Sequence, residues 1–380
     1  MENYDDIRPY TDSEIPAAMH RIVRNDFFPL LARYVFPHLS TEQVRDMMLS
    51  FSTIYDFQYQ VMRIANERII ANSITTFTCD GTSHIEPRGS YLFVSNHRDI
   101  MLDASLLQNV LLAHGHDTSE ITFGANLMQG ELMIDLGKSN KMFRVERGGN
   151  MKDFYLSSMH LSNYIRNAVT RLHHSVWIAQ RNGRTKDGND TTDQGIIKMF
   201  CMSHPQDKIE ALEQLHIVPV TVSYEWEPCD VLKAIELYMS RTEKYIKKPG
   251  EDLTSIITGI VQPKGQVHFS IGRPLGHDEL MQFNDCTSTD YHRQVAKLLD
   301  RRIIAAYRLT PNNYIAHDLL YAQSRYKHCY TAQQEADFIA HLQQLHRYDY
   351  VDEPEVLRNI LLGIYANPVT SHERLAASGK

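Results

Sequence analysis

Short apolar runs alternate with segments of helical period through the middle of this chain. The runs at 74–81 (ITTFTCDG), 91–96 (YLFVSN), 120–126 (EITFGAN), 142–147 (MFRVER), 175–180 (SVWIAQ), 217–225 (IVPVTVSYE) and 266–275 (QVHFSIGRPL) read as strands. Between them, 103–115 (DASLLQNVLLAHG), a short stretch around 131–138 and the long 151–172 carry apolar residues at three- and four-residue spacing and read as helices. Residues 15–72 are helical in pattern throughout, with Pro16 near a first helix start and a capping-box-like Ser40-Thr41-Glu42-Gln43. Helical periodicity returns over 290–366.

Strands that alternate with helices imply an α/β fold, a layered mixed sheet flanked by helices, here with helical extensions at both ends. The expected regions are 1–73, helical; 74–280, the α/β core; and 281–380, helical. In such sheets ligands collect at the carboxyl ends of strands. The strongly apolar 26–36 (DFFPLLARYVF) suits either a helix packed on the body or one dipping into a membrane interface.

Composition narrows the classes. With 43% hydrophobic residues in 380, the chain can fill a sizeable core. No run approaches the ~18 apolar residues of a membrane span, and the first residues lack the basic and apolar regions of a secretory signal, so a cytoplasmic location is expected. Five cysteines without CxxC spacing argue against a disulfide framework or a zinc ribbon, and the 19 histidines include no HExxH; a metal site is not expected. A net charge of -7 disfavours a nucleic-acid partner, yet residues 138–186 hold ten Lys or Arg against Glu146 and Asp153. That basic band suits an anionic ligand, although a solvated helix face explains it as well.

The stretch 94–107 (VSNHRDIMLDASLL) carries the most chemistry. A kinase His-Arg-Asp loop needs an asparagine at the position of Ala104, a Gly-rich loop and a DFG segment, and the chain has none of these. Asp99 suits an N-cap for a helix beginning at Ile100, which leaves Asn96-His97-Arg98 and the second carboxylate, Asp103, unexplained. A histidine there can act as a general base, with a carboxylate on its other ring nitrogen fixing the tautomer. No GxSxG nucleophile is present, so the hydroxyl to be activated belongs to the substrate.

Asn96-His97 after a strand resembles the first motif of the PlsC-like glycerolipid acyltransferases, Asn-His-x-Ser-x-x-Asp, and the spelling NHRDIxLD looks most like a bacterial branch of that superfamily. The family places its aspartate five residues after the histidine, where this chain has Leu102. Asp103 lies six after and Asp99 two after. Either can be the partner of His97, with Asp103 preferred. MFRVERG (142–148) resembles the second motif, which implies that Arg147, with Arg144 close by, holds an anionic head group. WIAQRNGRTKDG (177–188) falls where the family has Phe-Pro-Glu-Gly-Thr-Arg-Ser. Asn182 stands in place of the glutamate, and Gly183, Arg184 and Lys186 remain candidate anion-binding residues. IVPVTVSYE resembles the fourth motif, with Pro219; Asn96 and Arg98 complete the expected substrate-binding set.

The resemblance covers about residues 75–275 and implies an O-acyltransferase. Its donor would be an acyl carrier protein or coenzyme A thioester, and its acceptor lysophosphatidic acid or glycerol 3-phosphate. No metal or organic cofactor is implied, and the expected location is the inner face of the cell membrane. A lyso-amino-acid lipid acceptor, a non-catalytic lipid-binding protein of the same fold, and a hydrolase are the competing readings.

Overall fold

The structure is a computed structural model that describes residues 3–146, 148, 150–348 and 351–378. Seven strands form one sheet: β1 (Ile74–Asp80), β2 (Leu92–Ser95), β3 (Glu120–Gly124), β4 (Met142–Val145), β5 (Val176–Ala179), β6 (Ile217–Tyr224) and β7 (Gly265–Ile271). Six fall inside runs that the apolar pattern predicts, and β7 begins one residue before its run. Their order is β1-β7-β6-β2-β5-β3-β4. All neighbours run parallel except β6 and β7, so β1 and β7 oppose the other five.

Period-two alternation sends side chains to two cores. On β2 and β5, Leu92, Val94, Val176 and Ile178 pack with Tyr164, Ile165, Phe200, Val295 and Leu299 on one face. Phe93 and Trp177 point the other way, toward Leu106, Leu107 and Val110 of helix 102–113. β2 and β5 are buried on both faces, which is why they read as continuous apolar runs. The expected helical extensions are present. Helices 15–22, 28–35 and 41–49 close around Met19, Phe28 and Val44, and helices 311–320, 332–342 and 354–378 pack with Ala234 and Ile235 into a further core. Ser40 caps helix 41–49 in a capping box with Gln43, as its spacing predicts.

Two details position the site. Pro219 is the third residue of β6 and precedes the antiparallel pairing with β7, which begins at Val220, so its missing N–H falls near strand entry; its carbonyl accepts from Gly272 N at 2.8 Å. Helix 251–261 crosses above the carboxyl end of β2 with Gly259 against Asp99. A Cβ at that position would lie 2.1 Å from Asp99 Oδ2, so only glycine permits the approach. Among the described residues no helix is long and apolar enough to cross a membrane.

Candidate functional site

The chain leaves β2 at Ser95 and does not enter a helix until Leu102, two residues later than an N-cap at Asp99 predicts. Asp103 accounts for the delay. Its Oδ2 accepts from Arg98 N at 2.6 Å, Asp99 N at 2.9 Å and His97 Nδ1 at 2.9 Å, while Oδ1 accepts from Tyr224 OH at 2.8 Å. One carboxylate therefore gathers the non-helical segment 97–99 about itself, and that irregular segment absorbs the extra residue between histidine and aspartate. An oxygen already accepting two backbone N–H groups acts as an acceptor, so the ring proton is assigned to Nδ1 and the lone pair to Nε2. Burial, followed by the charge of Asp103, holds the Tyr224 phenol well above its ordinary pKa and keeps it a donor.

Asp99 has a different place. Its Oδ1 accepts from Met101 N and Leu102 N, both at 2.8 Å, so it braces the approach to a helix whose N-cap is Met101 rather than the expected Asp99. Its buried Oδ2 has no hydrogen-bond partner among the described residues. Burial, then Asp103, pushes its carboxyl above the usual range against the pull of the two N–H donors. Asp99 braces the turn before the helix and Asp103 faces the histidine.

Replacing each with asparagine separates the two. Asp99→Asn keeps an acceptor at Oδ1 and removes a desolvated charge, so its melting temperature at neutral pH should equal or exceed that of the parent. Because the folded-state pKa of Asp99 is raised, its stabilising share is complete at low pH and lost as pH rises through that value; the variant should flatten this segment of the stability curve. Asp103→Asn should lower turnover by ~10²-fold or more, by placing an amide where His97 needs an acceptor. Turnover lost only in the Asp99 variant, at unchanged stability, reverses the assignment.

His97 is 9% exposed and stacks edge-on to Trp177 with ring centroids 5.6 Å apart. It lines a cavity of about 80 Å³ with Met101, Phe123, Trp177, Gly183 and Arg184. The loop after β5 is pinned beside it, with Thr185 N donating to His97 O at 2.7 Å. Gly183, at φ +76°, makes the turn that brings Arg184 to the cavity wall. Arg184 is 8% exposed, and its buried Nη1 has no hydrogen-bond partner among the described residues. A buried guanidinium edge beside a histidine is a ready receptor for an anion.

Other expected site residues lie elsewhere. Asn96 and Arg98 are buried, and their side chains are engaged by partners inside the fold. Asn96 brackets β6: its Oδ1 accepts from Val222 N at 2.8 Å and its Nδ2 donates to Val222 O at 3.0 Å. Arg98 donates to Asp190 Oδ2 at 2.5 Å and Glu227 Oε2 at 3.2 Å, with its guanidinium 4.9 Å from the centre of the Tyr307 ring. Pro219 is buried in the sheet. Lys186 is ion-paired with Glu236, and Arg144, exposed on β4, pairs with Glu146 at 2.7 Å. Asn182 is exposed and does not line the cavity. Arg147 lies outside the described residues.

The sequence reading did not single out Trp177, Tyr224, Asp190, Glu227 or Lys233. Tyr224, at the carboxyl end of a strand within the SYE of the fourth motif, was within its reach. The charged residues gave no signal, since nothing local marks them as buried. Among the described residues no group of three or more His, Cys, Asp or Glu could hold a metal ion.

The chain is similar to the crystal structure of the 1-acyl-sn-glycerophosphate (LPA) acyltransferase, PlsC, from Thermotoga maritima, at 10% sequence identity and a TM-score of 0.36, over 78% of this chain and 97% of that one. No protein-family model matches the sequence. No curated protein matches it either.

Proposed function

We propose that the protein is an O-acyltransferase that moves a fatty acyl group from a thioester donor, on acyl carrier protein or coenzyme A, to the hydroxyl of an anionic lipid precursor. The observation that carries this reading is the pairing of His97 Nδ1 with Asp103 beside a cavity of mixed polar and apolar lining, to which Arg184 also contributes. His97 Nε2 takes the proton of the acceptor hydroxyl as its oxygen attacks the thioester carbonyl. The tetrahedral intermediate expels the thiolate, which receives that proton from the imidazolium. Asp103 orients the ring and stabilises its charged form. The chemistry needs no redox partner, because the thioester already activates the carbonyl.

Arg184 is assigned to the acceptor's phosphate or carboxylate, and Met101, Phe123 and Trp177 to the acyl chain near its carbonyl. Lysophosphatidic acid or glycerol 3-phosphate is the proposed acceptor, and a lyso-amino-acid lipid is the variant of the same chemistry. The protein would work at the inner face of the cell membrane, where such acceptors reside.

The test incubates purified protein with labelled acyl carrier protein or acyl-coenzyme A and a panel of lyso-lipids and glycerol 3-phosphate, with products identified by mass. A new ester formed only when donor and acceptor are both present is the expected result. Release of free fatty acid without acceptor makes the protein a hydrolase, and an intact thioester in every mixture points to a non-catalytic lipid-binding protein.

A further inference from the structure

Helix 251–261 divides its aliphatic residues between core and solvent, with Ile256 and Ile260 half-buried. Its buried stripe is small, Ser255 and Gly259, because the helix must lie close over Asp99. Its outward stripe is large and aliphatic: Leu253, Ile257 and Val261, spaced by four residues, are 56%, 52% and 60% exposed. The loop before it adds Ile246 at 82% exposure. A helix face meant for water carries charged side chains at such positions.

The same loop is cationic. Arg241, Lys244, Lys247 and Lys248 are all exposed there against Glu243, with Glu251 and Asp252 following in the first turn of the helix. Arg241 pairs with Glu353 and Lys247 with Asp252, whereas Lys244 and Lys248 make no ion pair among the described residues. A local positive patch on a chain of net charge -7 is complementary to anionic head groups.

We propose that residues 240–261 are the surface by which this protein docks on an anionic lipid bilayer. An outward aliphatic stripe bordered by lysines is the chemistry of an interfacial helix, whose apolar face enters the acyl boundary while its cations meet the head groups. Protein interfaces draw most of their affinity from Trp, Tyr and Arg anchors in pockets, and the exposed stripe of this helix has none.

The placement is functional as well as adhesive, and in this respect it deepens the acyltransferase reading on which it rests. Lys247 and Asp252 line the His97 cavity, and Asp252 accepts from Asn126 Nδ2 at 3.2 Å. The docking surface therefore begins at the rim of the site, so a lipid acceptor can pass from the bilayer to His97 without crossing water. Helix 63–73 packs against both helix 251–261 and helix 28–35, which exposes Phe27 and Leu30 at its start and first turn.

Vesicle co-sedimentation without substrates tests the surface separately from turnover, so failed transfer and failed docking are distinct results. The full chain is mixed with phosphatidylcholine vesicles that contain or lack phosphatidylglycerol. Binding to the anionic vesicles alone, weakened by salt, is expected. Leu253→Ser with Ile257→Ser should reduce the bound fraction about tenfold or more, and Lys244→Glu with Lys248→Glu should remove the preference for phosphatidylglycerol. Met281→Ser, at an exposed position at the end of helix 277–281 and outside the proposed surface, should bind as the parent does. Equal binding by all variants, or none by the parent, overturns the proposal. So does parent protein that ignores vesicles but binds acyl carrier protein through Lys244 and Lys248, which would assign the patch to an acidic protein.

Discussion

His97→Ala should lower acyl transfer by ~10²- to 10⁴-fold while leaving the fold intact, since a positioned general base contributes about that much to the rate. The side chain makes one hydrogen bond to Asp103, and losing a single bond of this kind costs ~1–2 kcal/mol. Asp103 keeps its other donors, Arg98 N, Asp99 N and Tyr224 OH, so the loop stays gathered when the imidazole is gone. Activity and stability should therefore separate: a large fall in turnover with a melting temperature near that of the parent. In the proposed mechanism the missing group acts on the acceptor hydroxyl, so the acceptor's KM should change far less than kcat. Near-normal turnover by the purified variant would remove His97 from the mechanism, and with it the reading of the site.

The largest effect on stability should come from Arg98→Met. Arg98, Asp190, Glu227 and Lys233 form a buried charge cluster in which Glu227 accepts from Arg98 at 3.2 Å and from Lys233 Nζ at 2.6 Å. Lys233 Nζ also donates to Arg98 O at 2.6 Å, tying helix 230–239 to the backbone beside His97. Removing the guanidinium leaves Asp190 a buried carboxylate with, among the described residues, only Asn96 Nδ2 and Thr185 Oγ1, each at 3.3 Å, as side-chain donors. Stranding one member of a buried pair costs ~3–5 kcal/mol, read as a shift of the urea midpoint at constant m-value. Activity should fall with it, because the same residue carries the backbone N–H that Asp103 holds. Asp190→Asn added to Arg98→Met should restore part of the loss, since it removes the stranded charge. A loss below about 1 kcal/mol would mean that the cluster behaves like a surface ion pair.

These two variants mark what was legible in the sequence. His97 could be found because a strand's apolar run ends at Ser95 and a histidine follows it, and that pattern is local. Arg98 could not be placed. It reads as one more cation in a loop, and only partners 92 and 129 residues away turn it inward. The same holds for Asn96, which as a motif residue looks like a ligand contact and in the fold braces β6. Arg184 gained its meaning from the turn at Gly183 and from the bond between Thr185 and His97, both of which depend on β5 lying next to β2.

The segment 251–261 was missed for a different reason. A pattern search assumes that apolar residues face inward, and here the small residues are buried while Leu253, Ile257 and Val261 are outside. The period was present, but its orientation depends on what the helix rests upon.

By itself the sequence determined the seven strands, the helices between most of them, and a histidine at the end of the second strand. Each of these follows from the local alternation of apolar and polar residues, which backbone geometry converts directly into faces. Only the tertiary structure decided the strand order, the reversal of β7 against β6, and the choice of Asp103 over Asp99 as the partner of His97. Spacing alone left both carboxylates available. What distinguishes them is that Tyr224 and the N–H groups of Arg98 and Asp99 converge on one carboxylate, an arrangement that exists only once β6 lies beside β2.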